Sequence, residues 1–205
     1  SGITVTVIAT QDTVEYDSND NIYDERATYL NTDADGNILI STAAEFRYFA
    51  LTVNKGAGEY VGKTVKLTAD IDLANKSWTP VMASDITFDG NGHTVRNLNA
   101  AGEKNVGLFG CATKCKIKNL TVDGASVKGI NHIAAIAGDA LCAEIENCSV
   151  KNAEIVTEVR NNDDGDKAGT IAGYLSAESY ASVKNCSVEN CSVRGYRDIG
   201  GLVGF

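Results

Sequence analysis

Three groups of side chains in this 205-residue chain could in principle do chemistry. The first is Asp89-Gly90-Asn91-Gly92-His93, where a carboxylate and an imidazole four residues apart would suit acid–base work. Asp-Gly and Asn-Gly dipeptides, however, favour backbone conformations with positive φ, so the spacing is better used as a tight turn. The second is Asn31-Thr32-Asp33-Ala34-Asp35-Gly36-Asn37-Ile38, with oxygen ligands at alternate positions, glycine sixth and isoleucine eighth, like the start of a calcium loop. Its twelfth position is Thr42, where such a loop needs a bidentate glutamate, so an acidic turn is expected instead.

The third group is six cysteines, Cys111, Cys115, Cys142, Cys148, Cys186 and Cys191. They form no CxxC pair, and His93 and His132 stand at no metal-ligand or nucleophile–base spacing from them, so zinc and thiol catalysis are both disfavoured. Cys115 and Cys142 are the better candidates for a disulfide, which the residues alone leave open. Cys148 and Cys186 are read as inward-facing apolar residues, since side chains stacked in register suit free thiols better than a disulfide torsion. Trp78 and the tyrosines Tyr16, Tyr23, Tyr29, Tyr48, Tyr60, Tyr174, Tyr180 and Tyr196 show no row at a fixed spacing, so packing is their expected role. No catalytic, cofactor-binding or metal residue is expected, and no cofactor.

The elements that would position these groups are written as repeats. Val95-Arg96-Asn97-Leu98, Ile117-Lys118-Asn119-Leu120, Ile145-Glu146-Asn147-Cys148 and Val183-Lys184-Asn185-Cys186 share one pattern, and the last three continue with Thr or Ser and then Val. Interleaved with them run Gly107-Leu108-Phe109-Gly110, Ala135-Ile136-Ala137-Gly138, Thr170-Ile171-Ala172-Gly173 and Gly201-Leu202-Val203-Gly204. In a straight strand, Ile117 and Leu120 would point to opposite faces. A left-handed residue at Asn119 resets the alternation, so that Ile117, Leu120 and Val122 all face inward. Repeated once per coil, Asn97, Asn119, Asn147 and Asn185 would stack at strand spacing, as in a solenoid of parallel strands. Lys118, Glu146 and Lys184 would then line one outer face as an alternating charge ladder.

Upstream, Thr42-Ala43-Ala44-Glu45 is a capping box, and Phe46, Phe49, Ala50 and Val53 share a helical face before Gly56. A helix over 43–54 is expected, capping the open end of the solenoid. Val65 to Leu73 alternates like one strand, and Ile3 to Ala9 reads as a short strand. Residues 1–39 are expected to be an extension or the tail of a preceding domain, and 40–205 the helix plus repeats. The chain opens Ser1-Gly2 and stops at Phe205 directly after a repeat element, which reads as a processed or cut fragment. Residues 157–168 are expected to leave the stack as a polar loop.

A net charge of −9 without a basic cluster disfavours nucleic acid. No apolar run approaches the roughly 20 residues of a membrane span.

Phe88 to Val95, Val106-Gly107-Leu108-Phe109-Gly110, the asparagine-bearing strands and Gly200-Gly201-Leu202-Val203-Gly204 together resemble GLUG-motif repeats, over roughly residues 38–205. Ala135 and Thr170 replace the first glycine in two copies. The resemblance implies an all-β, right-handed parallel β-helix of pectin-lyase-like type with an N-terminal capping helix. It also implies a secreted or cell-surface bacterial protein, as in gut Bacteroidales proteins, adhesins and accessory regions of IgA1-cleaving metallopeptidases. The expected function is a non-enzymatic adhesive or spacing module, with a host glycan or protein as partner. A carbohydrate-active enzyme and a non-catalytic part of a metallopeptidase are the alternatives.

Overall fold

The computed structural model describes residues 30–56, 58–158, 167–177 and 180–205. The expected strand at 3–9, Tyr16, Tyr23 and Tyr29, and most of the loop at 157–168 lie outside the described residues.

Every strand pairing between the described strands is parallel, and the strands recur in one order. Sheet 1 holds Ile38–Ile40, Thr64–Leu67, Thr87–Asp89, Lys116–Lys118, Glu144–Glu146 and Ser182–Lys184. Sheet 2 holds Ile71–Asp72, Thr94–Arg96, Thr121–Asp123, Ser149–Lys151 and Ser187–Glu189. Sheet 3 holds Ser77–Trp78, Asn99–Ala101, Ser126–Gly129, Glu154–Thr157 and Ser192–Arg194. Sheet 4 is the pair Lys104–Val106 and Asn131–Ile133, extended through bridges at Ala168 and Ile199. Sheet 5 holds Val81–Ser84, Phe109–Thr113, Ala137–Leu141 and Ala172–Ser176, with a bridge on to Val203. The chain visits the sheets in the order 1, 2, 3, 4, 5 and returns to sheet 1 one strand along, which is the arrangement of a β-solenoid.

The corners follow from residues that tolerate the left-handed region. Between sheets 1 and 2 these are Asn91, Asn119, Asn147 and Asn185, with φ of 51–54°. Between sheets 2 and 3 they are Asn97, Gly124, Asn152 and Asn190. Asn97 therefore does not stack on Asn119, as the repeat alignment expected. Val95 pairs with Val122, and the partner of Ile117 is Phe88, so the first copy belongs one strand further along the coil. The two corners share one local chemistry, an asparagine followed by an inward apolar residue, and the motif alone does not distinguish them. The same correction moves Leu98 out of the column of Leu120, Cys148 and Cys186, into that of Ala125, Ala153 and Cys191. The 65–73 segment is likewise two strands, in sheets 1 and 2.

Inward residues stack in rows, Val65–Phe88–Ile117–Ile145 in sheet 1 and Ile71–Val95–Val122–Val150 in sheet 2, all buried. Burying one such side chain contributes about 1.5–3 kcal/mol relative to exposure. Helix α1 (Ala43–Asn54) starts at the expected capping box, with Thr42 Oγ1 accepting from Glu45 N and the Glu45 carboxylate accepting from Thr42 N. Phe46 and Phe49 enter the interior, where Phe46 lies 5.5 Å from the Phe88 ring and 4.9 Å from Trp78. Asn54 covers the free edge of sheet 5, donating to Pro80 O at 3.0 Å and accepting from Met82 N at 2.8 Å. The helix thus occupies the place of a further strand, as a capping element must. Ile38–Ile40 already pairs with Thr64–Leu67, so the solenoid straddles the boundary expected at 39/40.

Candidate functional site

Sheet 4 lies across the outer face of sheet 5, and there the structure gathers side chains that the sequence keeps apart. Asn105 and His132 occupy the same place in successive sheet 4 strands, each left-handed at φ 55°. Facing them on sheet 5 stand Cys111, Asp139 and Tyr174, which are register partners. The close approach requires glycine at the last position of the second repeat element. A Cβ on Gly110, Gly138 or Gly173 would lie 2.7, 2.5 or 2.4 Å from backbone atoms of Asn105, His132 or Ile133.

Asn105 Nδ2 donates to Cys111 Sγ at 3.1 Å. His132 Nδ1 lies 3.4 Å from Asp139 Oδ2, and the His132 ring stacks on Tyr174 at 4.7 Å. Tyr174 in turn stacks on Phe205 at 5.6 Å, with Lys167 Nζ over both rings at 5.3 and 5.4 Å. A ring stack of His132, Tyr174 and Phe205 therefore lies on this ridge, with Tyr174 as its one tyrosine. The sequence hides it because one member is a histidine, another a phenylalanine, and the coil length varies between them.

A cysteine, a carboxylate and a histidine thus share one ridge, but they are not arranged for nucleophilic catalysis. Burial pushes the Cys111 thiol up and the nearby Asp139 charge adds to this, with the Asn105 bond opposing. A nucleophile needs the reverse. The carboxylate, not the imidazole, is the register neighbour of the thiol. Asp139 Oδ1 is buried and has no partner among the described residues.

The residues singled out in the sequence fall elsewhere. Asp89 and His93 do not meet: Asp89 binds Asn91 N, Asn119 Nδ2 and Lys118 Nζ, while His93 Nδ1 lies 3.4 Å from Asp70, which also binds Arg96. In the acidic loop, Asp33 accepts from Asp35 N, Asn37 N and Asn37 Nδ2, a self-contained turn, and Thr42 is occupied as the helix cap. Among the described residues no group of three or more His, Cys, Asp or Glu side chains is placed to hold a metal ion.

Lys118, Glu146 and Lys184 do stand in register with Asp89. Lys118 pairs with Asp89, Lys116 reaches Glu144 and Glu146 at 3.4 Å, and Lys184 turns to the Tyr180 hydroxyl at 2.6 Å. Trp78 is buried and donates to Leu108 O. All six cysteines are free thiols, and Cys115 and Cys142 are not linked. Thr113 pairs with Leu141, which sets Lys114 opposite Cys142 and Cys115 opposite Ala143.

Two small recesses lie at the surface of the described residues. One, of about 170 Å³, lies at the corner near Asp85, Lys114 and Glu144. Another, of about 200 Å³, lies beside the helix near Tyr60, Val61 and Met82. Drug-sized ligand sites begin at roughly 300 Å³.

Parallel strands laid coil upon coil, with one helix among the described residues, make the structure a β-solenoid. Known protein-family models give no match to it. Over 142 residues it is 31% identical to halomucin of Haloquadratum walsbyi, covering 60% of this chain and 2% of that protein. In structure it resembles a Bacteroides ovatus chain provisionally described as an immunoglobulin A1 protease, with a TM-score of 0.51 and 19% identity, over 84% of this chain and 62% of the other. At that identity the likeness is one of fold. No described helix is long and apolar enough to cross a membrane.

Proposed function

We propose that this chain is a non-enzymatic module of a secreted or cell-surface protein, a right-handed parallel β-helix of the GLUG-repeat kind. It spaces or presents other regions and makes adhesive contacts along its outer face. The observation that carries this reading is the state of the outward side chains. Outward charges pair between neighbouring coils in Lys118–Asp89, Lys116–Glu144 and Arg194–Glu154 and within one coil in His132–Asp139, and the recesses found among the described residues are small. Catalysis on such a face would need convergent, unpaired acid and base groups around a bound substrate. The net charge of −9 points away from nucleic acid and toward a neutral glycan or protein surface. The likeness to halomucin and to the Bacteroides chain supports the bacterial or archaeal surface setting.

The chain, displayed multivalently, would be tested against mucins, host glycans and matrix proteins, with a Tyr174→Ala/Phe205→Ala variant alongside. Saturable retention that weakens in the variant, with no new reducing ends or unsaturated sugars released, is the expected result. Release of sugar products would replace this reading with a carbohydrate-active one. No retention on any surface would leave spacing alone.

A further inference from the structure

Two of the six thiols face each other across a coil boundary. Cys148 and Cys186 follow the corner residues Asn147 and Asn185, and the strands around them pair without slip, Glu146 with Lys184 before and Ser149 with Ser187 after. Both side chains turn the same way. Cys148 Sγ lies 3.3 Å from Glu146 O and 3.8 Å from Ile117 O, and Cys186 Sγ lies 3.2 Å from Lys184 O and 3.7 Å from Ile145 O. No other two cysteines are opposed in this way. Cys111 faces Asp139, and Cys191 accepts from Ala153 N.

The two thiols differ in burial. Cys148 is 1% exposed, sealed beneath the last coil. Cys186 belongs to that last coil and is only half-buried. The neighbouring Cys148 thiol holds the Cys186 thiol below its usual range, against the effect of burial, whereas Cys186 and then burial push the Cys148 thiol up. A half-buried thiol thus stands in register over a buried one.

We propose that Cys186 and Cys148 form a thiol–disulfide exchange site, Cys186 attacking a small-molecule disulfide and Cys148 resolving the adduct. The Cys186 thiolate attacks one sulfur of oxidised glutathione, whose S–S bond breaks and whose leaving thiolate takes up a proton. Cys148 then gives up its proton and its sulfur displaces the second glutathione from Cys186. Two protein thiols become one disulfide, and one glutathione disulfide becomes two thiols. A strand spacing of about 4.8 Å falls within the Cα separations that a disulfide spans. The parallel side chains require one torsion to turn, which falls to the half-buried Cys186. The bond would clamp the last coil to the one beneath.

The test treats the full chain with oxidised glutathione under native conditions, alkylates the remaining thiols, and maps the peptides by mass spectrometry. The expected product has lost two hydrogen atoms, links Cys148 to Cys186, and carries four alkylated cysteines. In Cys148→Ser the glutathione adduct should stay trapped on Cys186. Hydrogen exchange over 182–194 should slow in the oxidised wild type. A different pair linked, a persistent glutathione adduct in the wild type, or no reaction would each overturn the assignment. Unchanged exchange in the linked protein would overturn the clamp.

Discussion

The two ends of the stack use the same strands and corners, and they differ in what lies over them. At the N-terminal end, α1 fills the interior with Phe46 and Phe49 and pairs the free edge of sheet 5 through Asn54. At the other end, Ser182–Lys184, Ser187–Glu189 and Ser192–Arg194 are each the last strand of their sheet. The contrast is sharpest within one row. Val95, Val122 and Val150 are fully buried, whereas Val188, next in register, is half-buried. Residue type, corner and strand are the same, so burial of an inward side chain comes from the following coil and not from its own. A solenoid's stability is a sum over neighbours, and the terminal coil lacks one of its terms.

If that is right, equal chemistry removed from the two ends should cost unequal amounts. Phe46→Ala empties the packing against Phe88 and Trp78 and is expected to cost about 3–5 kcal/mol. Val188→Ala removes two half-buried methyl groups and should cost about 1 kcal/mol or less. Urea denaturation at constant slope measures both, and comparable losses would break the comparison.

A second pair of variants sharpens it at one repeat position. In Gly138→Ala the new Cβ would stand 2.5 Å from His132 O and 2.6 Å from Val106 N. These are backbone atoms held between coils, and the expected cost is about 1–3 kcal/mol. Gly204 meets similar backbone, 2.5 Å from Gly173 O and 2.6 Å from Ala168 N, but on the terminal coil, which can shift. Gly204→Ala should lower the thermal midpoint by less than half as much.

Much of this was legible because it is local. The capping box, the left-handed asparagines and the phase of the second repeat are set by neighbours in sequence, and Phe109, Ala137, Ala172 and Val203 do stand in register. The phase of the first asparagine copy was not. Its clue was that Asn97 is followed by Leu98-Asn99-Ala100 where the others continue with Thr or Ser and Val, while Thr94-Val95 matches Thr121-Val122. The outer ridge was also hidden. His132, Asp139, Tyr174 and Phe205 meet only because sheet 4 folds over sheet 5, and that depends on glycines whose reason is a backbone two strands away. The asparagine corners carry one more misleading signal. Asn119-Leu120-Thr121 and Asn147-Cys148-Ser149 read as glycosylation acceptors, yet both amides donate within the ladder, to Asp89 and to Asn119.

The outer ladder should show the same gradation of burial, with the smallest effects. Asp89 is 8% exposed and accepts from Asn91 N at 2.8 Å and Asn119 Nδ2 at 3.0 Å, with Lys118 Nζ at 3.1 Å. Burial alone would raise its carboxyl, but these three donors outweigh it and hold it below the usual range. A carboxylate depressed in the folded state stabilises the fold above its unfolded value of about 3.9, and that contribution is lost as pH falls through the lower folded value. Wild-type stability should therefore decline below about pH 4, and Asp89→Asn should flatten that decline. At pH 7 the variant, which sets an amide against Lys118, should cost about 1.5 kcal/mol. Glu154, half-exposed in its pair with Arg194 at 2.6 Å, gains little from a contact that water screens, and Glu154→Gln should cost under about 0.5 kcal/mol. Urea titrations of both variants at pH 7 and pH 3.5 decide the point. Equal losses at pH 7 would mean that the ladder's charges act through their number and not through the depth at which each coil holds them.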